Sequence, residues 1–116
     1  MRTTVITLAL AALTLGACSS DAPSAEELCP TPTDTTTVEM ADFSYTPGCV
    51  AVDAGASLEL RNTGQAPHTF TVNDTEIDVN VAAGETGTAD LSDVVAGTYE
   101  VVCTLHPQME GALQVR

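Results

Sequence analysis

The chain has 116 residues, 16 of them acidic and 3 basic, with no lysine and a formal net charge of −13 at pH 7. That length holds one domain with a modest core. A surface so acidic repels nucleic acid and anionic headgroups; it suits basic partners, and equally a protein kept soluble in high salt.

The first element in chain order is an export signal. Arg2 precedes an apolar run from Val5 to Leu15, too short to span a bilayer and laid out as a signal peptide over residues 1–17. Leu15-Gly16-Ala17-Cys18 resembles a bacterial lipobox, in which the cysteine is lipidated and becomes the new N-terminus. A plain secretory signal, with Cys18 incidental, is the alternative. Both readings take the protein out of the cytoplasm. The lipobox reading ties it by lipid alone to a prokaryotic membrane, facing the periplasm or cell exterior. No second apolar stretch is long enough to span a membrane. Cleavage before Cys18 removes Arg2, the one charged residue among the first 17, leaving 99 residues at −14.

Residues 19–37 are rich in Ser, Ala, Pro, Thr and acid, the texture of a tether. The expected organisation is therefore a lipidated cysteine and flexible tether over 18–37 and a folded domain over 38–116. Four cysteines are present. With Cys18 assigned to lipid and Cys103 placed among metal-donor neighbours, Cys29 and Cys49 remain as a disulfide. Outside the cytoplasm such a bridge persists. It would close a loop of about 20 residues and contribute roughly 3 kcal/mol in the chain-entropy picture.

From Val38 onward, short apolar runs alternate with turn signals. Strands are predicted over Val38–Phe43, Ser57–Asn62, His68–Val72, Ile77–Val81, Thr86–Leu91, Thr98–Cys103 and Gly111–Val115. Thr46-Pro47-Gly48, Asp53-Ala54-Gly55, Asn62-Thr63-Gly64, Asn73-Asp74, Ala83-Gly84 and Ala96-Gly97 separate or precede them. No segment sustains a helical period. Runs so short and so spaced predict an all-β sandwich or barrel. Aromatic residues are four, so the core must be mostly Val, Leu and Ala.

The chemistry lies near the C-terminus. Cys103, His106 and Met109 stand at C-x2-H-x2-M, and Pro107 helps force a tight loop. The second histidine, His68, opens another predicted strand after Pro67. A thiolate, two imidazoles and a thioether form the donor set that suits type 1 copper. Thiolate stabilises both oxidation states, imidazole accepts both, and a weak thioether avoids committing the site to the geometry Cu(II) prefers. Any one of these residues alone reads as core filler or a surface group. Together they are not chance: composition puts His at +3 and Met at +6 of a given cysteine at about 5 × 10⁻⁴.

Cys103-Thr104-Leu105-His106-Pro107-Gln108-Met109-Glu110-Gly111, preceded by Gly97-Thr98-Tyr99, resembles the copper loop of the cupredoxins, in its short amicyanin-type spacing rather than the longer plastocyanin one. Asn62 to Phe70 resembles the segment with the first histidine ligand, and Phe43 to Gly48 and Val52 to Leu58 the preceding strand and turn. An acidic cupredoxin behind a lipobox is also similar to halocyanin-like anchored proteins. The resemblance spans Val38 to Arg116. It implies a Greek-key β-sandwich of about seven to eight strands, with one copper ion at one end. His68, Cys103 and His106 would be equatorial ligands and Met109 the axial one. His106 would pass the electron, with Leu105 and Pro107 forming an apolar docking patch around it. Two departures bear on the redox potential. Thr69 stands where the family often has Asn, and Leu105 where amicyanin-type loops often have Pro.

The expected function is therefore a monomeric one-electron carrier, not an enzyme, serving redox proteins such as a basic cytochrome, an oxidase or a dehydrogenase. A copper carrier delivering metal to an oxidase is the chief alternative, and a metal-free β-sandwich binding module the alternative of another class.

Overall fold

The computed structural model describes residues 24–116. The signal peptide expected over residues 1–17 and the lipidation expected at Cys18 lie outside the described residues. A four-residue helix, α1 (Ala25–Leu28), is followed by ten strands. These are β1 (Thr33–Asp34), β2 (Thr37–Ala41), β3 (Ser44–Thr46), β4 (Cys49–Val52), β5 (Ser57–Asn62), β6 (His68–Val72), β7 (Asp78–Val81), β8 (Thr86–Asp90), β9 (Gly97–Val102) and β10 (Glu110–Val115). One sheet runs β1-β4-β10-β9-β6-β7 and the other β3-β2-β5-β8. The protein is an all-β two-sheet sandwich.

Period-two patterning explains most of this. In β5, Leu58, Leu60 and Asn62 turn inward while Ser57 and Arg61 face solvent. Val38 and Met40 of β2 do the same beside them. Opposite lie Val50, Val52, Phe70, Val72, Val101, Leu113 and Val115, all in one buried cluster. The core is aliphatic and Val-rich, as so few aromatic residues require. Tyr45 and Phe70 meet edge to face within it, ring centroids 5.8 Å apart.

The strands number ten rather than the expected seven to eight. Five of the seven predicted runs shift at their ends by one or two residues, while β5 and β6 fall as predicted. The additions are β1, β3 and β4. Strands β1 and β3 are too short to show a period, and Pro47-Gly48 after β3 reads as turn. Strand β4 escapes for a different reason. All four of its residues are buried, so it does not alternate. Val50 and Val52 enter the main core, whereas Cys49 turns to a second cluster with Cys29 and Ala112, against which Leu28 packs.

That second cluster shows what the Cys29–Cys49 disulfide does. It joins the end of α1 to β4, with Cα atoms 5.4 Å apart. Within the segment read as tether, residues 24–37 thus carry a helix, a strand and a covalent link to the sandwich. Ser24 and Glu27 form a capping box at the start of α1. Strand β1 runs parallel to β4, and Asp34 pairs with Arg116 at the chain's end. The bridge lays this segment over the outer face of β4 and β10. Replacing both Cys29 and Cys49 by Ser should leave the sandwich assembled but about 2–4 kcal/mol less stable. Urea denaturation would read this as a lower midpoint, and an unchanged midpoint would contradict the stapling role.

Candidate metal centre

Two loops at one end of the sandwich carry the candidate donors. The first joins β5 to β6 and is organised by buried Asn62. Its side-chain amide donates to the carbonyls of Ala66 and Val81 at 2.8 and 2.9 Å, and its oxygen accepts the N–H of Gly64 at 2.9 Å. Every polar atom of that buried side chain is therefore satisfied. His68 emerges from this loop as the first residue of β6 and is fully buried.

The second loop joins β9 to β10 in successive tight turns. The His106 N–H donates to the Cys103 carbonyl at 3.3 Å, and the Met109 N–H to the His106 carbonyl at 2.9 Å. The Cys103 N–H closes the loop on the Met109 carbonyl at 3.0 Å. Pro107 has no N–H to satisfy and lies exposed between these turns. Gly111 follows where β10 meets the β3–β4 turn: a Cβ there would lie 2.9 Å from the Gly48 carbonyl oxygen. This C-x2-H-x2-M segment needs a glycine at its exit for that close approach.

Thr69 ties the loops together. Its N–H donates to the Cys103 sulfur at 3.3 Å, and its hydroxyl oxygen accepts the Thr104 N–H at 2.9 Å. That hydroxyl also lies 3.3 Å from the hydroxyl of Thr104 and 3.0 Å from that of Thr71. The link between the ligand loops that the resemblance implies for Asn at this position is made here by threonine. Behind it, the Tyr45 hydroxyl donates to the Thr69 carbonyl at 2.6 Å. Burial holds the Tyr45 phenol in its neutral form well beyond the usual tyrosine range, with the nearby Cys103 adding to the effect.

The donors converge. His68 Nδ1 lies 3.2 Å from His106 Nδ1, and Cys103 Sγ lies 3.6 Å from the same His106 nitrogen. Ligand atoms of all three residues fall within 4.8 Å of one another. One ion bonded to two imidazole nitrogens at about 2.0 Å would hold them about 3.2–3.5 Å apart, so the observed spacing fits a shared metal. Met109 is buried with Cys103 in the same cluster. The donor set of two imidazoles, a thiolate and a thioether is the one that suits copper. His68, Cys103, His106 and Met109 thus form a candidate copper site.

Burial divides these residues by role. Cys103 is 2% exposed and Met109 1%, whereas His106 is half-buried. Leu105 and Pro107 beside it are exposed, Leu105 to 47%. Two neighbours were not singled out from the sequence as site residues. Phe43, 56% exposed, packs its ring against His106 at a 53° tilt with centroids 4.7 Å apart and meets His68 edge-on at 6.0 Å. Asp42 reaches His68 Nε2 at 2.7 Å. Backbone N–H donation from Gln65, and then the His68 contact, hold its carboxyl below the usual carboxylate range. Neither residue has a sequence signal of its own, because the β2–β3 turn meets the site only in the folded chain.

A two-sheet β-sandwich with a His, Cys, His cluster buried under the loops of one end defines the cupredoxin class of protein. A family model described as a cupredoxin-like domain matches residues 5–115, and the chain belongs to that family. No curated protein matches it by sequence. Among solved structures, a novel purple cupredoxin from Nitrosopumilus maritimus matches with a TM-score of 0.61 at 15% identity, over 71% of this chain and 100% of that one. The Cu(I) form of an amicyanin mutant matches with a TM-score of 0.60 at 24% identity, over 71% and 82% of the two chains. A mutant fern plastocyanin matches with a TM-score of 0.58 at 23% identity, over 69% and 99%. At these identities the likeness is one of fold.

Tyr45 supports the site from behind, so Tyr45→Phe should cost about 1–3 kcal/mol by removing a buried hydrogen bond. Its raised pKa also gives a sign. Folding favours the neutral phenol, so this stabilisation is complete below the unfolded tyrosine pKa of about 10 and declines as pH rises above it. Urea midpoints taken on both sides of that pH should show a steeper alkaline loss for the wild type than for the variant. Parallel losses would contradict the assignment.

Proposed function

We propose that this chain is a type 1 copper protein that carries single electrons between redox partners outside the cytoplasm. The observation that carries the reading is the convergence of His68, Cys103 and His106 ligand atoms within 4.8 Å in a mostly buried pocket. Bound copper would supply a one-electron Cu(I)/Cu(II) couple. The protein's part is to hold the donors in place and to control access. Thr69 and Thr104 lock the two ligand loops together, which limits rearrangement between oxidation states. His106 is the imidazole with a route to the surface, since His68 is fully buried. Phe43, Leu105 and Pro107 frame that route with apolar surface on which a partner can close out water.

Charge supports a basic partner. Both basic side chains among the described residues are already paired, Arg61 with Glu59 and Arg116 with Asp34. The remaining carboxylates are left to steer an oppositely charged cytochrome, oxidase or dehydrogenase. The resemblance of Leu15-Gly16-Ala17-Cys18 to a lipobox supports anchoring to a prokaryotic membrane by lipid, with this domain facing the periplasm or exterior. Enzymatic chemistry is disfavoured by supply. The chain has two histidines, and both lie in the one site, leaving no imidazole for a second copper or a general base.

A copper carrier is the second reading, and one observation weighs against it. Carriers often present exposed Met and His clusters, but Met40 and Met109 are both buried. Voltammetry and a Cu(I) chelator separate the two. An electron carrier should give a reversible one-electron wave and keep its copper against the chelator through many cycles. Rapid surrender of Cu(I) to the chelator would favour delivery over electron transfer.

A further inference from the structure

Asp42 lies in the turn between β2 and β3, and its carboxylate is engaged wholly with the loop that bears His68. Oδ2 accepts the Gln65 N–H at 2.8 Å, Oδ1 accepts the Ala66 N–H at 3.3 Å, and Oδ1 lies 2.7 Å from His68 Nε2. The seat is tight. A Cβ at Gly64 would lie 2.2 Å from Asp42 Oδ1, so a side chain at position 64 would expel the carboxylate. The other nitrogen of the same imidazole, Nδ1, faces His106 Nδ1 at 3.2 Å.

An ionised carboxylate only accepts hydrogen bonds, and a neutral imidazole carries its proton on one nitrogen alone. His68 has no exposure to water that might satisfy Nε2 instead. The Asp42 contact therefore places a proton on Nε2, and in the neutral ring this leaves the Nδ1 lone pair open towards Cys103 and His106. We propose that Asp42 is the positioning residue of this centre. It fixes the tautomer and orientation of His68 and makes it a stronger donor, as outer carboxylates do for metal-bound histidines. Gly64 is its structural accomplice. The consequence for the metal rests on the copper reading above; the tautomer does not.

The test uses the full chain, first metal-free and then with copper. Nitrogen-15 NMR of the metal-free wild type at neutral pH should report the Nε2–H tautomer for His68, and Asp42→Ala should mix the two tautomers. Competition with a chelator should then show Cu(II) affinity falling about 10–100-fold in that variant. Loss of a negative charge beside the oxidised ion should also raise the reduction potential. Asp42→Asn, which keeps an acceptor oxygen but not the charge, should raise the potential with a smaller loss of affinity. That variant carries the test if Asp42→Ala does not fold. Gly64→Ala should reproduce the Asp42→Ala behaviour with the carboxylate still in the chain. An Nδ1–H tautomer in the wild type overturns the proposal. So do unchanged affinity and potential in the variants of a copper-loaded protein, an outcome that leaves the copper reading standing. An Nε2–H wild type that binds no copper removes the copper reading and supports the tautomer assignment.

Discussion

Everything at this end of the fold turns on the close approach of three candidate donor atoms, and the surrounding structure is built to hold them there. His68 and His106 bring their Nδ1 atoms to 3.2 Å, with the Cys103 sulfur 3.6 Å from the latter. A shared cation would bond to all three, and the fold supplies the geometry that would receive it. It does so by fixing backbone before side chain. Asn62 shapes one loop, nested turns shape the other, and Thr69 bonds one to the other beside the sulfur. Tyr45 and the sandwich core stand behind Thr69, so the loops that carry the donors are braced against the sheets.

Burial then decides what the centre can do. Cys103 and His68 are buried, which protects the sulfur from oxidation and would keep water from competing for a bound ion. The second imidazole is left half-open under an exposed phenylalanine. A centre whose one outward-facing group is a half-buried imidazole is consistent with the electron exchange proposed above. On the proposed reading, the surplus of carboxylates would attract basic partners, with a reach that shortens as salt rises.

Much of this was legible in the chain because it is local. Cys103, His106 and Met109 share one loop, so their spacing alone announces a donor set, and His68 is the chain's only other imidazole. Ser57–Asn62 alternates cleanly because one of its faces is wet. Strand β4 did not show itself because both of its faces are covered, one by the core and one by the disulfide-tethered segment. That cover also explains why the residues after Ser24 behave as part of the domain despite a linker-like composition. Asp42 and Phe43 were invisible as site residues for a stricter reason. They act on His68 and His106 from another strand pair, and no local pattern encodes a contact 26 or 63 positions away in sequence. At position 69, where the resemblance implies Asn, the hydroxyl and N–H of Thr69 together reach across to the Cys103 loop.

The central claim is that Cys103 and the two histidines share one copper ion. It is tested most directly by the visible absorption spectrum of the oxidised, copper-loaded protein beside its Cys103→Ala variant. The account predicts an intense band from the thiolate–copper bond, bleached on reduction and absent from the variant. A folded wild type that stays colourless and retains no copper would contradict it.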